Sequence, residues 1–590
     1  MAIDATAVAR VIGIETKFKN LREDAAISLP QRIAVLAQGS SDSVYSGDKF
    51  RPTSATQVGA RFGWGSPAHL IARQLMPANG DGVGTIPVTF YPLTDHDSGV
   101  AATGSITPSG SQTVAGSYRV AVNNVLSELF VIPVGATVAT ICGLIGEAMS
   151  AVLEMPVTVE YTYGTVTADP DAGNTGDGSV TALTVTGTPT PGVYSLVCNQ
   201  AVADGGVFTL IAPNGGIVSS SVTMTPAPLG ATVIDVGGIE FTLTDGAVDF
   251  VVGDSFAITV DATDVTLTSK WKGDSANSLR AEVLGEDLGT TFAIVQPSGG
   301  LANPDLSAAL VALGTVWETM VINALNIEDT TALDDIATVG ESRWGALVHK
   351  PFVAFTGVTA ASVAAATSIS STRRTDRINA QLVSPGSKDL PFVVAGRQCA
   401  LIARVANGNP PRDYAAQRAT GLVPGPDADQ WGYVERDQAV KLGGSTVEIK
   451  DDVVTISDVV TFYRPEGDPT PAYRFVVDIC KVMQVIFNTA LIFEADEWAG
   501  APLIPDGQAT VNPDARKPSS AKAALGGMFD SLALNAVISD AAYAKANTIA
   551  ELDSQNHRRL NVQTTFKISG NVGIIDVVQN FGFYYPAVGG

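Results

Sequence analysis

Leu29–Gln38 reads LPQRIAVLAQ, an apolar run without polar alternation, and Pro52–Met76 follows it as PTSATQVGARFGWGSPAHLIARQLM. The first stretch suits a strand buried on both faces. The second supplies Ser and Thr caps ahead of Val58, Phe62, Leu70, Ile71 and Leu75 at helical spacing. A buried strand followed at once by helices is the opening of an α/β domain. The rhythm returns downstream. DLSAALVALGTVWETMVINALN (Asp305–Asn326) and TALDDIATVGESRWGALVHKPFVAFTGV (Thr331–Val358) each run from a helical pattern into an apolar strand, and GVTAASVAAATSIS (Gly357–Ser370) reads as an Ala-rich helix. Strands alternating with helices imply a largely parallel sheet covered on both faces.

Between these two blocks the character changes. From Tyr91 to Asp264 the chain is rich in Thr, Val and Gly in short alternating runs such as SYRVAVNN, PVTVEYTYGTV and GVFTLIAPNGG, with one helix expected over Val138–Leu153. This segment carries 17 acidic residues against one basic residue, Arg119, in a chain of net charge −23. It reads as an acidic β-rich insertion at residues 91–264, divided near 168–176, into a core made of 29–90 and 265–430. Residues 431–561 form a separate C-terminal α+β domain, with strands in STVEIKDDVVTIS and VVTFYRP and helices over Tyr473–Ala495 and Ser519–Leu534. Residues 1–28 and 562–590 read as extended arms. The first 28 residues carry too few apolar side chains to offset an ordering cost of about 1–2 kcal/mol per residue.

At 590 residues and 45% hydrophobic composition the chain has room for several cores. Its acidity and the lack of any Lys/Arg block make nucleic acid and anionic membranes poor partners. The N-terminus has no apolar signal core, so the expected site of synthesis is a cytoplasm. The longest apolar stretch, FVVDICKVMQVIFNTALIF, contains Asp478 and Lys481 at helical spacing, which favours a buried helix over a membrane span. Cys142, Cys198, Cys399 and Cys480 lie far apart and suggest neither a zinc site nor a disulfide framework.

Motifs for chemistry are sparse. His69, His96, His349 and His557 lie in no catalytic motif, and no GxSxG elbow occurs. Gly80, Gly82 and Gly84 lack the spacing of a phosphate loop. Asp169, Asp171, Asn174 and Asp177 cluster in ADPDAGNTGDGS without the order of an EF-hand, so a solvated turn is the favoured reading there. Pro410, Pro411, Pro424, Gly425 and Pro426 mark a fixed loop whose Arg412 and Arg418 face acidic neighbours in one reading. No enzyme activity, cofactor or metal is expected.

Several of these pieces resemble, in order, the contractile-tail sheath proteins of bacteriophages, in the branch resembling the Mu-like sheath. RFGWGSPAHLIARQL (Arg61–Leu75) is similar to the family's early FG-x-GS helix start, and GSYRVAVNNVLSELFVIPVGATVATICGLIGEAMSAVLEMPVTVEY (Gly116–Tyr161) to its inserted strand pair, helix and strand. VTLTSKWKGDSANSLRAEV (Val265–Val283) resembles its KG-containing strand and turn, with SANS in place of the usual Gly-Asn. VVTFYRPEGDPTPAYRFVVDICKVMQVI (Val459–Ile486) resembles its later strand and long helix. The segment from Gly176 to Val260 looks added and is similar to β modules of phage decoration proteins.

The resemblance implies a subtilisin-like core without a working catalytic site. It also implies subunits in six-fold rings stacked helically around a tail tube protein, between baseplate and tail terminator proteins, in a virion assembled in the host cytoplasm. Contraction would drive the tube through the host envelope. The chain ends TTFKISGNVGIIDVVQNFGFYY (Thr564–Tyr585), two apolar-alternating runs in which Phe566, Ile568, Ile574, Val577, Phe581 and Phe583 are candidate anchors. Read from the residues alone, these strands either complete the C-terminal domain's own sheet or add to a neighbour's. The resemblance favours exchange between subunits. Two other functions stay open: a surface adhesin whose insertion binds host glycans, and a hydrolase with an unrecognised triad.

Overall fold

The computed structural model describes residues 26–468, 472–579 and 581. They fall into two compact units: Gln31–Arg404 with Tyr414–Arg474, and the described parts of Met1–Pro30, Val405–Asp413 and Phe475–Gly590. The fold is mixed α/β, with one parallel sheet and several antiparallel ones.

In the larger unit, Ile33–Gln38 is an inner strand of a five-stranded parallel sheet. Val88–Leu93 lies on one side, and Met320–Asn323, Val353–Val358 and Asn379–Val383 extend from the other. Every residue of these five strands is buried, which is why LPQRIAVLAQ shows no polar alternation. Taken in chain order the strands lie 2-1-3-4-5, a doubly wound arrangement. Helices Ala55–Phe62 and Pro67–Leu75 connect the first two strands, and the hydroxyls of Ser54 and Ser66 cap them by accepting the N–H groups of Gln57 and His69. Asp329 caps Thr330–Arg343 in the same way.

The expected Ala-rich helix shrinks to one turn, Val363–Ala366. Beyond it Thr367, Ser368, Ser371 and Thr372 return their hydroxyls to carbonyls three or four residues back, the local competition that disfavours Ser and Thr inside helices.

The β-rich insertion is gathered at an antiparallel bridge, Val100 to Leu301. Its spine is the 18-residue strand Ser255–Lys272. One half of the spine pairs with Gly192–Val202 and the other with Ala101–Gly110, while Val157–Pro170 follows nearly its whole length. These ladders correct the expected insertion limits of 91 and 264. Val88–Leu93 belongs to the parallel sheet, and the spine passes unbroken through 264. Ala281–Leu284 and Thr290–Ser298, expected in the core, pair with Gly116–Val122 and Ala101–Gly110. The outer part of the insertion encloses its own core of Tyr194, Leu196, Phe208, Phe241, Phe250 and Phe256. There the three-stranded sheet of Ala231–Val236, Ile239–Thr244 and Ser179–Val185 supplies one side.

The expected domain boundary at 430/431 also moves, to 474/475. Gly444 bridges Gln381 in the edge strand, and the Phe462 N–H donates to the Asn379 carbonyl at 3.1 Å. Trp431, Ala439 and Phe462 then pack with Val358 and Val383. Once these residues continue the core, they cannot be a separate body.

The smaller unit is built on helices Val476–Phe493 and Pro518–Leu534, the short helix Ala541–Ala546 and the hairpin of Ile549–Leu552 with Leu560–Gln563. Its core comprises Val485, Leu525, Met528, Phe529, Leu532 and Ile538. Val476–Phe493 is long and apolar enough to cross a membrane by length and composition, yet its buried residues include Lys481, Gln484 and Asn488.

Candidate functional site

Lys481, Gln484 and Asn488 recur at steps of three and four along one helix, so they share a face. All three are buried, and each holds an end of the chain. Gln484 Oε1 accepts the Leu29 N–H at 2.6 Å, Asn488 Oδ1 accepts the Ile27 N–H at 2.7 Å, and the Asn488 amide returns a hydrogen bond to the Ile27 carbonyl at 2.9 Å. The Gln484 amide also donates to that carbonyl, and the Ala26 N–H reaches Ser531 Oγ at 2.8 Å. Two side-chain amides thus do for residues 26–29 what a strand edge would do. The rest of the expected N-terminal arm lies outside the described residues.

The other chain end is held one helical turn earlier. Lys481 Nζ donates to the Ser569 carbonyl at 2.6 Å, to Asn571 Oδ1 at 2.5 Å and to Asp478 Oδ1 at 3.0 Å, and the Asn571 amide donates to the Pro411 carbonyl at 2.7 Å. Just before this clamp Ile568 bridges Ile538, flanked by hydrogen bonds from Ser539 N–H to Lys567 O and from Ser569 N–H to Val537 O. Phe566 packs on Phe529 with ring centroids 6.3 Å apart. Of the candidate anchors, Phe566 and Ile568 are therefore half-buried in their own unit.

Past Asn571 the chain changes state. Ile574 is 85% exposed and Phe581 91%, and Val572, Ile575, Val577 and Val578 are exposed beside them. Residues 572–579 and 581 form no strand. Only Asp576 carries a charge among these residues. The expected pair of strands over Thr564–Tyr585 is thus reduced, among the described residues, to the bridge at Ile568. Phe583 lies outside them. Alternation is the sequence signal that marks the candidate anchors. The Lys481, Gln484 and Asn488 ladder was not singled out, though its signal is polar residues at helical spacing within an otherwise apolar helix.

The histidines fill other roles. His69 is buried; its Nδ1 accepts the Gly65 N–H at 3.1 Å and its ring meets the edge of Trp64. Burial, with Arg73 and Lys270 adding to it, lowers its pKa from 6.5 to about 4. The fold holds the neutral ring, so its stabilising effect is full above pH 6.5 and declines as the pH falls toward about 4. Thermal unfolding followed from pH 7 to 4 should therefore fall more steeply for the wild type than for His69→Asn, which removes the titrating group while offering an acceptor. Equal slopes would show that His69 does not govern this pH range.

Ser98 Oγ lies 2.8 Å from His96 Nδ1, but the Ser98 backbone N–H converges on the same nitrogen at 3.2 Å. The nearby Asp305 carboxylate accepts the Ser307 N–H at 2.7 Å. This is a local turn in which, among the described residues, no carboxylate hydrogen-bonds the imidazole as a triad requires. In ADPDAGNTGDGS, Asp171 accepts from Gly173 N–H, Asp177 from Val248 N–H, and Asn174 exchanges two hydrogen bonds with the Ser255 backbone, so those side chains brace a turn.

No protein-family model matches the chain. The Mu-like prophage FluMu tail sheath protein of Haemophilus influenzae is 24% identical over 319 residues, which is 52% of this chain. The match spans 63% of that relative's length, less than two thirds. Among solved structures, a sheath tail protein from Listeria innocua aligns over 93% of this chain and 94% of its own at 10% identity, with a TM-score of 0.42. Another, from Desulfitobacterium hafniense, aligns over 95% and 97% at 9% identity, also with a TM-score of 0.42. The chain thus has a curated relative named as a Mu-like prophage tail sheath protein.

Proposed function

We infer that this chain is a structural, non-catalytic subunit of a contractile phage tail sheath. Subunits stack as six-fold rings around a tail tube protein, between baseplate and terminator proteins, and contraction drives the tube through the host envelope. The parallel-sheet core is the counterpart of the family's subtilisin-like domain. The observation that carries this reading is the apolar segment after Asn571, clamped at its root and exposed beyond it. Its sequence likeness to a prophage sheath protein supplies the context.

The segment contributes little to its own fold. On the edge of a neighbour's sheet it would gain ladder hydrogen bonds at about 1 kcal/mol each and burial at roughly 1.5–3 kcal/mol per large apolar side chain. Exchange is therefore assigned to Ile574, Val577, Phe581 and Phe583, while Phe566 and Ile568 anchor the root at home. Chains joined in this way stay linked while their rigid bodies repack, as a transition between two discrete packings demands.

Negative-stain microscopy of the purified full chain should show rings or tubes. A monodisperse monomer at high concentration would overturn the proposal. The hydrolase alternative has only the Ser98–His96 turn to offer, without an orienting carboxylate, so no labelling of Ser98 by a serine-reactive phosphonate is expected, and labelling lost in Ser98→Ala would overturn the non-catalytic reading.

A further inference from the structure

We propose that the acidic insertion binds a divalent cation of the calcium class between Asp204, Asp245 and Asp249. Asp204 lies in the turn joining Gly192–Val202 to Gly205–Ile211, and the other two lie in the loop after Ile239–Thr244. One carboxylate oxygen from each comes within 4.8 Å of the others. Calcium takes oxygen ligands at about 2.3–2.6 Å, so ligands on opposite sides of the ion stand roughly 5 Å apart. Magnesium, which demands near-ideal octahedral geometry and is usually held by one or two carboxylates, suits three converging carboxylates less well.

Asp245 carries the argument beyond acidity. It is 4% exposed, points into the cluster, and neither of its carboxylate oxygens has a hydrogen-bond partner. The backbone N–H groups of Gly246 and Leu229 favour its charged form without reaching hydrogen-bond geometry. Between Arg119 and Lys270 the chain contains no Lys, Arg or His, so the outer module that carries the three converging carboxylates has no basic side chain of its own. Burial, with Asp249 and Asp204 nearby, raises the Asp245 pKa. A buried carboxylate with neither oxygen hydrogen-bonded lacks the partner that a cation in the cluster would supply. A cation would also tie the 204 turn to the 245–254 loop at one end of the outer sandwich.

The test uses the full-length protein stripped with a chelator and titrated calorimetrically with calcium chloride or magnesium chloride, alongside thermal unfolding in each salt. Calcium should bind at one site per chain in the range of extracellular modules, on the order of 0.1–1 mM, and raise the unfolding temperature of the outer module. Asp245→Asn should weaken binding at least tenfold, and Asp249→Asn should weaken it too. Without calcium, Asp245→Asn should unfold at the same temperature as the wild type or higher, because it removes a buried charge. The proposal fails if calcium at roughly 10 mM gives no binding, if Asp245→Asn binds as well as the wild type, or if that variant is stabilised equally with and without calcium. The last result would mark Asp245 as a carboxyl that is simply protonated. Magnesium binding as tight as calcium would overturn the assignment to the calcium class. None of these outcomes depends on polymerisation.

Discussion

A chain ending at Asn571 is expected to fold as the full-length protein does and to stop polymerising. The segment removed holds Val572, Ile574, Ile575, Val577, Val578 and Phe581, all exposed, so its loss costs the folded unit little. Every apolar side chain it would have placed on a neighbour is lost to association, at roughly 1.5–3 kcal/mol each. Loss of even three such contacts lowers an association constant by about three orders of magnitude or more. Circular dichroism and the unfolding temperature should match the full chain, while size-exclusion chromatography with light scattering should find monomers. Ile574→Asp with Phe581→Asp tests the same contact without shortening the chain. Tubes formed by the truncated protein would dispose of strand exchange and leave sheath assembly to some other surface.

The second large effect is expected at Lys481. Its side chain is fully buried, and its ammonium serves the Ser569 carbonyl, Asn571 and Asp478 at once. Lys481→Met keeps the length and apolar body of the side chain but strands those acceptors. We expect a loss of about 3 kcal/mol, measured by denaturant unfolding. Limited proteolysis should cut near residues 569–571 in the variant well before it does so in the wild type, because the root of the arm is no longer held. Asn488→Leu acts on the opposite chain end, and its new cleavage should appear near residues 26–29 instead. A cost for Lys481→Met below about 1 kcal/mol would mean that the clamp is incidental.

The parts of the fold that were legible share one property: the burial of each is decided by its own residues. Ile33–Ala37 within LPQRIAVLAQ is apolar throughout because Ile33–Gln38 has parallel neighbours on both edges and is buried along its whole length. Ser54 and Ser66 announce their helices through local capping, and the helix expected over Ser519–Leu534 is found at Pro518–Leu534. Features that need a distant partner were lost. Nothing local to Trp431–Arg474 says that Gly444 bridges Gln381, and nothing near Asp264 says that the spine runs on to Lys272. The site behaves likewise. Alternation marked two apolar runs from Phe566 to Phe583 as alike, but the division at Asn571 into a held root and an exposed tip depends on Lys481, 90 residues upstream. Asp204 and Asp245 belong to different loops and came together only in three dimensions.

The ladder where Pro170 faces Phe256 makes the outer module, with a core of its own, a detachable fitting, whereas the inner strands of the insertion stay packed on the frame through Trp271 against Phe392. The two chain crossings of that module pass side by side through one doorway, the Asp171 N–H donating to the Ser255 carbonyl at 2.9 Å, so its contents can be enlarged, trimmed or exchanged while the wiring of the parallel sheet is left alone. A foreign domain whose own ends lie a strand apart could be plugged into the same doorway. A particle built from such subunits would then display that domain once per copy, at the density of its lattice.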